Sequence, residues 1–270
     1  MLLADLGEQI ATGSRSRVFA YGRDAVVKVP IAGVPEGWVR FEGNYTEAVH
    51  RAGAPAPKFL GVDELNGREV GVYERISGPS MWERLAERPS EASELGLVLA
   101  DLHHELFRVP PPLTLPAQQT RLVCKILDAS VDNEPVLRPL LERVRFAKPS
   151  PVVLCHGDFH PKNILLSERG PIVVDWFDAS RGSALIDIAR SSLLLCSATG
   201  RVGDGFLPGA SAKLLNDLEQ SYVHRSLELL NASGDVVLSE HDVATWRAVS
   251  AAARIAEGIA PAEMLPYCRF

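Results

Sequence analysis

Apolar residues recur along this chain with two different periods, and the change of period divides it. Up to about residue 76 the pattern is that of strands. "RVFAY" and "AVVKV" are β-rich runs flanking Gly22-Arg23-Asp24, which predicts a hairpin with Lys28 inside its second strand. "KFLGV" and "REVGVYERI" form a second pair joined through the Asn66-Gly67 turn. Between the pairs, Phe41 to Ala52 has helical character and stops at Gly53, with Pro55 and Pro57 preventing its continuation. After Ser77-Gly78-Pro79 the helical period takes over. Leu95, Val98, Leu99, Leu102 and Leu106 follow the i, i+3, i+4, i+7 rule for one buried face of a helix starting near Ser90. "VPPPLTLPAQQ" from Val109 is expected to be a loop or extended segment, because proline fixes φ and removes donors, and is a candidate rim for a site. The short strands "NILL" and "PIVV" enclose Ser167-Glu168-Arg169-Gly170, and the remainder is mostly helix with Leu193, Leu194 and Leu195 in the core. Ser239 with Asp242 forms a capping box for a helix running to about Glu257, where Gly258 terminates it. The expected fold class is α+β. A small antiparallel β lobe with one helix covers 1–76, and a larger, mostly helical lobe covers 77–270.

Composition narrows the class. A chain of 270 residues that is 46% hydrophobic can bury a real core. Its 34 acidic against 28 basic residues, a net charge of −6, disfavour the basic face that nucleic acid requires. Cys124, Cys155, Cys196 and Cys268 are widely spaced, with no CxxC pair, and fit free thiols in a reducing compartment. "MLLADLGEQ" lacks a basic leader, and no run approaches the roughly 20 apolar residues of a spanning helix, so the expected location is the cytoplasm with no membrane partner.

The chemistry gathers in "VVLCHGDFHPKNILL", from Val152 to Leu166. Asp158 and Asn163 are five apart on a loop before a strand, and Asp175 ends the next strand, twelve residues after Asn163. A hairpin of that length sets Asn163 beside Asp175, with Asp158 opposite. Three oxygen-bearing side chains so arranged suit Mg²⁺, a hard ion that takes one or two carboxylates and leaves positions for phosphate oxygens. The remaining carboxylate can accept a proton from an attacking hydroxyl, which is the layout of phosphoryl transfer. His156 and His160 have the i, i+4 spacing of a zinc pair, but Gly157 and Pro161 argue against the helix that would align them, and the general-base Glu of H-E-x-x-H is missing. His156 is better read as hydrogen-bonding support for the loop, His160 and Lys162 as polar groups near the transferred phosphate, and Asp187 in "LIDIAR" as a brace. Asp178 competes with Asp175 as the metal ligand, and Asp175 is preferred because it directly ends the strand.

The Asp-to-Asn spacing of "HGDFHPKN" matches the protein-kinase loop H-R-D-L-x-x-x-N. With glycine in place of arginine, and followed by "VVDWFDA", it resembles the aminoglycoside phosphotransferase and choline kinase-like family, whose fold is protein kinase-like and bilobal. "VVKV" resembles the family's phosphate-lysine strand, "APAP" the segment after its first helix, "ERISG" its inter-lobe hinge and "LADLHH" the helix before its catalytic loop. The resemblance implies Asp158 as catalytic base, Asn163 and Asp175 as holders of Mg²⁺, and Lys28 on the α and β phosphates of ATP, with GTP left open. Glu74 and Ile76 are then nucleotide contacts, and a helix acid, Glu42 or Glu47, pairs with Lys28; spacing to "APAP" favours Glu42. "ATGSRSRVF" stands for the nucleotide loop with Gly13 and Ser14 over the phosphates, although the fuller G-x-G-x-x-G and a Walker A sequence are both absent. The implied enzyme is a Mg²⁺-dependent kinase acting on an alcohol group of a small molecule, an aminoglycoside-type antibiotic first. A metabolic acceptor such as an amino alcohol, sugar or homoserine-like compound comes second, and a nucleotide-binding pseudokinase third.

Overall fold

A computed structural model describes residues 6–129, 134–148, 150–197, 211–233 and 237–268. The first residues of the leader reading, up to Asp5, therefore lie outside the described residues. The chain opens with β1 (Gln9–Thr12), β2 (Ser16–Tyr21), β3 (Ala25–Pro30), α1 (Trp38–Arg51), β4 (Phe59–Leu65) and β5 (Arg68–Glu74). These strands form one antiparallel sheet in the order β1-β2-β3-β5-β4. Both expected hairpins are present, and their turn residues explain them. Gly22 has φ 61°, and Asn66 and Gly67 have φ 51° and 80°, the left-handed pair that a tight hairpin turn needs. Because strand side chains alternate, Val27 enters a cluster with Leu65 and Val70 while Lys28 points to the other face.

Helix α1 begins at Trp38, three residues before the expected start, because Gly37 in a left-handed conformation (φ 80°) already breaks the incoming chain. Its buried face carries Glu42, Gly43, Thr46 and Val49. At Gly43 a Cβ would stand 2.2 Å from the Phe59 ring, so glycine is what lets α1 approach β4.

The chain continues through α2 (Met81–Glu87), α3 (Ala92–Phe107), α4 (Gln118–Ala129) and α5 (Glu134–Arg145), then β6 (Val153–Cys155), β7 (Ile164–Ser167), β8 (Gly170–Val173) and β9 (Ser180–Gly182). Helices α6 (Ala184–Ser197), α7 (Ala212–Ser233) and α8 (Glu240–Ile255) follow. In α3 the buried stripe is Ala92, Gly96, Leu99, Ala100, His103 and Leu106, whereas Val98 is 41% exposed, correcting the stripe expected through Val98. The reason is close packing on α7, since a Cβ at Gly96 would lie 2.6 Å from the Leu218 carbonyl oxygen. Gly96→Ala is therefore expected to lower the melting temperature by about 5 °C, the scale of an overpacking penalty in a chain of this size, as read by circular dichroism. From Val109 to Pro116 the proline-rich run has no regular structure, and its end is tied to β9 through the Arg181 N–H to the Pro116 carbonyl (2.8 Å) and a bridge from Ala117 to Arg181. Gln118 and Gln119, read as part of the same run, instead open α4, since no proline stands between Pro116 and the end of α4 to prevent a helix. The capping box at Ser239 and Asp242 is formed as expected, and Gly258 (φ 86°) follows the end of α8. Among the described residues no helix is long and apolar enough to cross a membrane.

The chain divides into two compact units. One contains the described residues of Met1–Ser80 together with Asn163–Asp178; the other contains Met81–Lys162 and the described residues of Ala179–Phe270. A division at residue 76 put the β7–β8 hairpin in the second lobe, but its hydrogen bonds lie with the first. Leu166 N–H donates to the Pro79 carbonyl (2.8 Å) and Val173 N–H to the Pro55 carbonyl (2.6 Å). Gly78 permits this, because a Cβ there would meet the Leu166 carbonyl at 2.1 Å. The second unit is built on a core of Ile126, Leu137, Leu140, Leu193 and the small face Ala248, Ala251 and Ala252 of α8.

Candidate active site

In the first unit, β3 delivers Lys28 to two carboxylates. Its ammonium pairs with Glu42 from α1 and with Asp175 Oδ1 at 3.0 Å. Burial alone would lower the lysine's pKa, but Asp175 and then Glu42 outweigh it and hold the ammonium well above its ordinary range. Burial pushes the Glu42 carboxyl up against the pull of Lys28, and its second oxygen has no hydrogen-bond partner among the described residues. Glu47 is on the surface with Arg51 (2.6 Å), so Glu42 is the acid that meets the lysine.

Asp175 is one of two non-glycine residues with positive φ (66°) among those described, and its side chain stays 41% exposed. The turn after it is held by buried Trp176, whose indole N–H donates to the Val173 carbonyl (2.8 Å). Asn163 stands across the hairpin, its carbonyl accepting Val174 N–H at 2.9 Å, so the two proposed ligands flank one end of the β7–β8 ladder. Gly13 and Ser14 are exposed on the β1–β2 connection, where Gly13 N–H closes a turn onto the Ser16 carbonyl (2.8 Å). Glu74 commits its carboxylate within the protein, to the Lys58 N–H (3.1 Å) and to Arg169 (2.8 Å), while Ile76 is half-buried. Asp178 follows in the short turn Trp176–Asp178, beyond the positive-φ position.

The loop bearing Asp158 belongs to the second unit and leaves β6 directly. Asp187, near the start of α6, accepts the N–H groups of His156 (2.7 Å) and Gly157 (2.9 Å) and also His103 Nε2–H (3.0 Å). Burial would raise this carboxyl, but the His103 hydrogen bond and the further donors bring it below its usual range. His103 is itself fully buried against Phe159 at 3.9 Å and shares a hydrogen bond with the Tyr222 hydroxyl (2.7 Å). Asp158 N–H donates to His156 Nδ1 (3.2 Å), and Lys162 N–H to His160 Nδ1 (3.3 Å). The proton of His160 is thereby left on Nε2, which faces Asp158 Oδ2 at 3.4 Å. Burial pushes the Asp158 carboxyl up, yet His160 and then Arg190 and His156 together outweigh it and hold the group well below the carboxylate range. His156 and His160 each thus spend Nδ1 on a backbone donor, and among the described residues there is no group of three His, Cys, Asp or Glu side chains placed to hold a metal ion.

Three residues of this unit carried no signal in the motif. Arg190 donates to the Gly157 carbonyl (3.0 Å) and to Glu257 (2.8 Å), and Lys125 takes the other oxygen of Glu257 (2.6 Å). The only hint in the sequence is that Arg190 lies one helical turn after Asp187 in "LIDIAR". Burial would raise Glu257, but Arg190 and Lys125 bring it down to about 2. A carboxyl depressed on folding contributes stability above its unfolded pKa and loses it as pH falls through the folded one. Acid unfolding is therefore expected to set in between about pH 4.5 and 2, with up to about 3 kcal/mol lost to this group, and Glu257→Gln should flatten that part of the stability profile in denaturant titrations.

A family model described as a phosphotransferase enzyme family matches residues 7–223. No curated protein matches the chain. Among solved structures, a thermostable mutant of the aminoglycoside phosphotransferase APH(4)-Ia is similar with a TM-score of 0.65 at 17% identity, covering 98% of this chain and 92% of that one. A choline/ethanolamine kinase family protein from Mesorhizobium loti gives 0.58 at 17% identity, over 95% and 79%. The amicoumacin kinase hAmiN, in complex with AMP-PNP, Ca²⁺ and Ami, gives 0.59 at 12% identity, over 94% and 80%. At these identities the likeness shows the fold: α+β and kinase-like, with an antiparallel N-terminal sheet and a mostly helical C-terminal part.

Proposed function

The chain belongs to the phosphotransferase enzyme family, and from that premise we propose that it transfers the γ-phosphate of ATP to a hydroxyl of a small molecule, an aminoglycoside-type antibiotic in the first place. The observation that carries the reading is Lys28 gripped between Glu42 and Asp175, a buried cation kept charged and aimed beside an exposed carboxylate. Such a lysine neutralises phosphate oxygens, and its two acids fix where the ammonium points. The aminoglycoside phosphotransferase and amicoumacin kinase among the structures of like fold support an antibiotic acceptor.

Asn163 and Asp175 would hold the Mg²⁺ that accompanies ATP. They fit by donor type, one amide and one carboxylate at the same end of a hairpin, both oxygen ligands that a hard cation prefers, with Asp175 open to solvent on part of its surface. When bound, that ion would neutralise charge on the phosphates. Asp158 orients the acceptor hydroxyl and takes its proton as the oxygen bonds to the γ-phosphorus and the bond to the β–γ bridging oxygen breaks, releasing ADP. Held well below the usual carboxylate range, Asp158 is ionised throughout the neutral range and can accept the hydroxyl's hydrogen bond, but it is a weak base that takes the proton late, as the new P–O bond acidifies the hydroxyl. Gly13 shapes the turn over the phosphates, its own N–H being spent on the Ser16 carbonyl, Ser14 is the member that offers them a backbone amide, and Glu74 and Ile76 contact the nucleotide. The cytoplasm is the matching compartment, since ATP is abundant there and the four cysteines are free thiols.

The test is an ADP-release screen of the purified chain against aminoglycosides, other hydroxylated antibiotics, choline, sugars and amino alcohols, with ATP and with GTP. Turnover with an aminoglycoside supports the reading. Turnover confined to choline or amino alcohols would favour a metabolic kinase, a second reading that rests on the choline/ethanolamine kinase family protein of like fold. Silence with every acceptor and both nucleotides would overturn both in favour of a nucleotide-binding module.

A further inference from the structure

The peptide immediately before Asp158 is held at both of its polar ends. Its carbonyl, that of Gly157, accepts from Arg190 Nε at 3.0 Å, and its N–H, that of Asp158, donates to His156 Nδ1 at 3.2 Å. Because a peptide is planar, fixing its oxygen and its hydrogen fixes the plane from which Asp158 projects. Gly157 itself stands at φ 78°, a conformation that L side chains seldom adopt, so the local chain does not choose this orientation unaided. Arg190 has only 11% of its side chain exposed, and its guanidinium is oriented by Glu257, 13% exposed, in the turn after α8. Glu257 lies beyond residue 223, outside the stretch matched by the family.

We propose that Arg190 and Glu257 are positioning residues for Asp158: Glu257 orients Arg190, and Arg190 holds the Gly157 carbonyl, so the last long helix sets the direction of the catalytic carboxylate. The inference rests on the reading of Asp158 as the base, and it makes Lys125 the control. Lys125 pairs with the same carboxylate of Glu257 (2.6 Å), while Arg190 donates to the Gly157 carbonyl of the loop. A purely structural ion cluster would respond alike to loss of either cation. A relay responds only to loss of Glu257 or Arg190.

The experiment compares Glu257→Gln, Glu257→Asp, Arg190→Lys and Lys125→Met in the full chain by two readouts. The first is hydrogen–deuterium exchange of peptides spanning 153–162, which needs no substrate. Exchange at Gly157 and Asp158 is expected to rise about tenfold in Glu257→Gln and Arg190→Lys and to stay as in the wild type in Lys125→Met, because an opened anchor exposes those amides. The second is MgATP turnover to ADP, with water or the acceptor found in the screen. There kcat is expected to fall about 10- to 100-fold in Glu257→Gln with the KM for MgATP unchanged, as for groups that orient a reacting side chain, and Glu257→Asp to recover most of it. Arg190→Lys keeps the test open if Glu257→Gln does not fold. Unchanged exchange in both Glu257→Gln and Arg190→Lys, or equal effects in Lys125→Met, would overturn the relay. An inactive Asp158→Asn beside a Glu257→Gln of normal kcat sinks the relay alone, whereas a fully active Asp158→Asn removes the base assignment and leaves the exchange result to stand for the geometry.

Discussion

Asp158→Asn is expected to lower turnover by about a thousandfold or more while MgATP still binds within a few-fold of the wild type. The magnitude is that of losing a general base and its hold on the attacking hydroxyl together. Asparagine keeps the shape of the side chain and still offers an oxygen to His160 Nε2–H, so the loop should stay in place, with Asp187 gripping the two preceding N–H groups. What it loses is the capacity to take a proton. Nucleotide affinity is expected to survive because Lys28, Asn163 and Asp175 all belong to the other unit. ADP release with the screened acceptor, alongside equilibrium titration of MgATP, separates the two effects. A mutant of near-normal rate would remove Asp158 from the role of base.

Asp175→Asn should cost at least as much, and by a different route. The substitution removes a ligand for a hard cation and one of the two carboxylates that hold Lys28. The lysine is then left with Glu42, and the opposing effect of burial on its charge is less fully offset. Mg²⁺-dependent nucleotide binding and turnover are both expected to fall below detection, and excess Mg²⁺ is not expected to rescue them. Calorimetric titration of ATP with and without Mg²⁺ measures the first, and the ADP assay the second. If affinity and rate both matched the wild type, Asp175 would not be the ligand, and Asp178 would be the residue to mutate next. The variant should still fold, since Asn tolerates positive φ better than other side chains and Trp176 holds the turn independently.

Much of the fold was legible because its signals are local. Asn66-Gly67, the capping box at Ser239 and Asp242, and the alternation that puts Lys28 opposite Val27 each depend on a few neighbouring residues, and the structure has them where the pattern put them. Two readings failed for a reason outside the local pattern. Val98 is as apolar as Leu99, but the stripe on α3 was chosen by where α7 comes close enough to demand Gly96. Helix α1 began early because the backbone at Gly37, which apolar periodicity does not report, already sets its start.

The site divides in the same way. Sequence alone determined which residue types stand at which spacing: Asp158 five residues before Asn163, Asp175 at the end of the next strand, a lysine inside a strand with acids on the helix after it. Those relations are set within single elements, so spacing carries them. Tertiary structure alone decided between Glu42 and Glu47, because residues five apart on a helix project about 140° apart and only the way α1 packs on its sheet selects the one that meets Lys28. It likewise decided that the β7–β8 hairpin joins the first unit, through hydrogen bonds to Pro55 and Pro79 more than 80 residues earlier in the chain. And it brought Arg190 onto Glu257, 67 residues away, to grip the carbonyl before Asp158. Pairings of that reach are made by packing, which orients whole elements against one another.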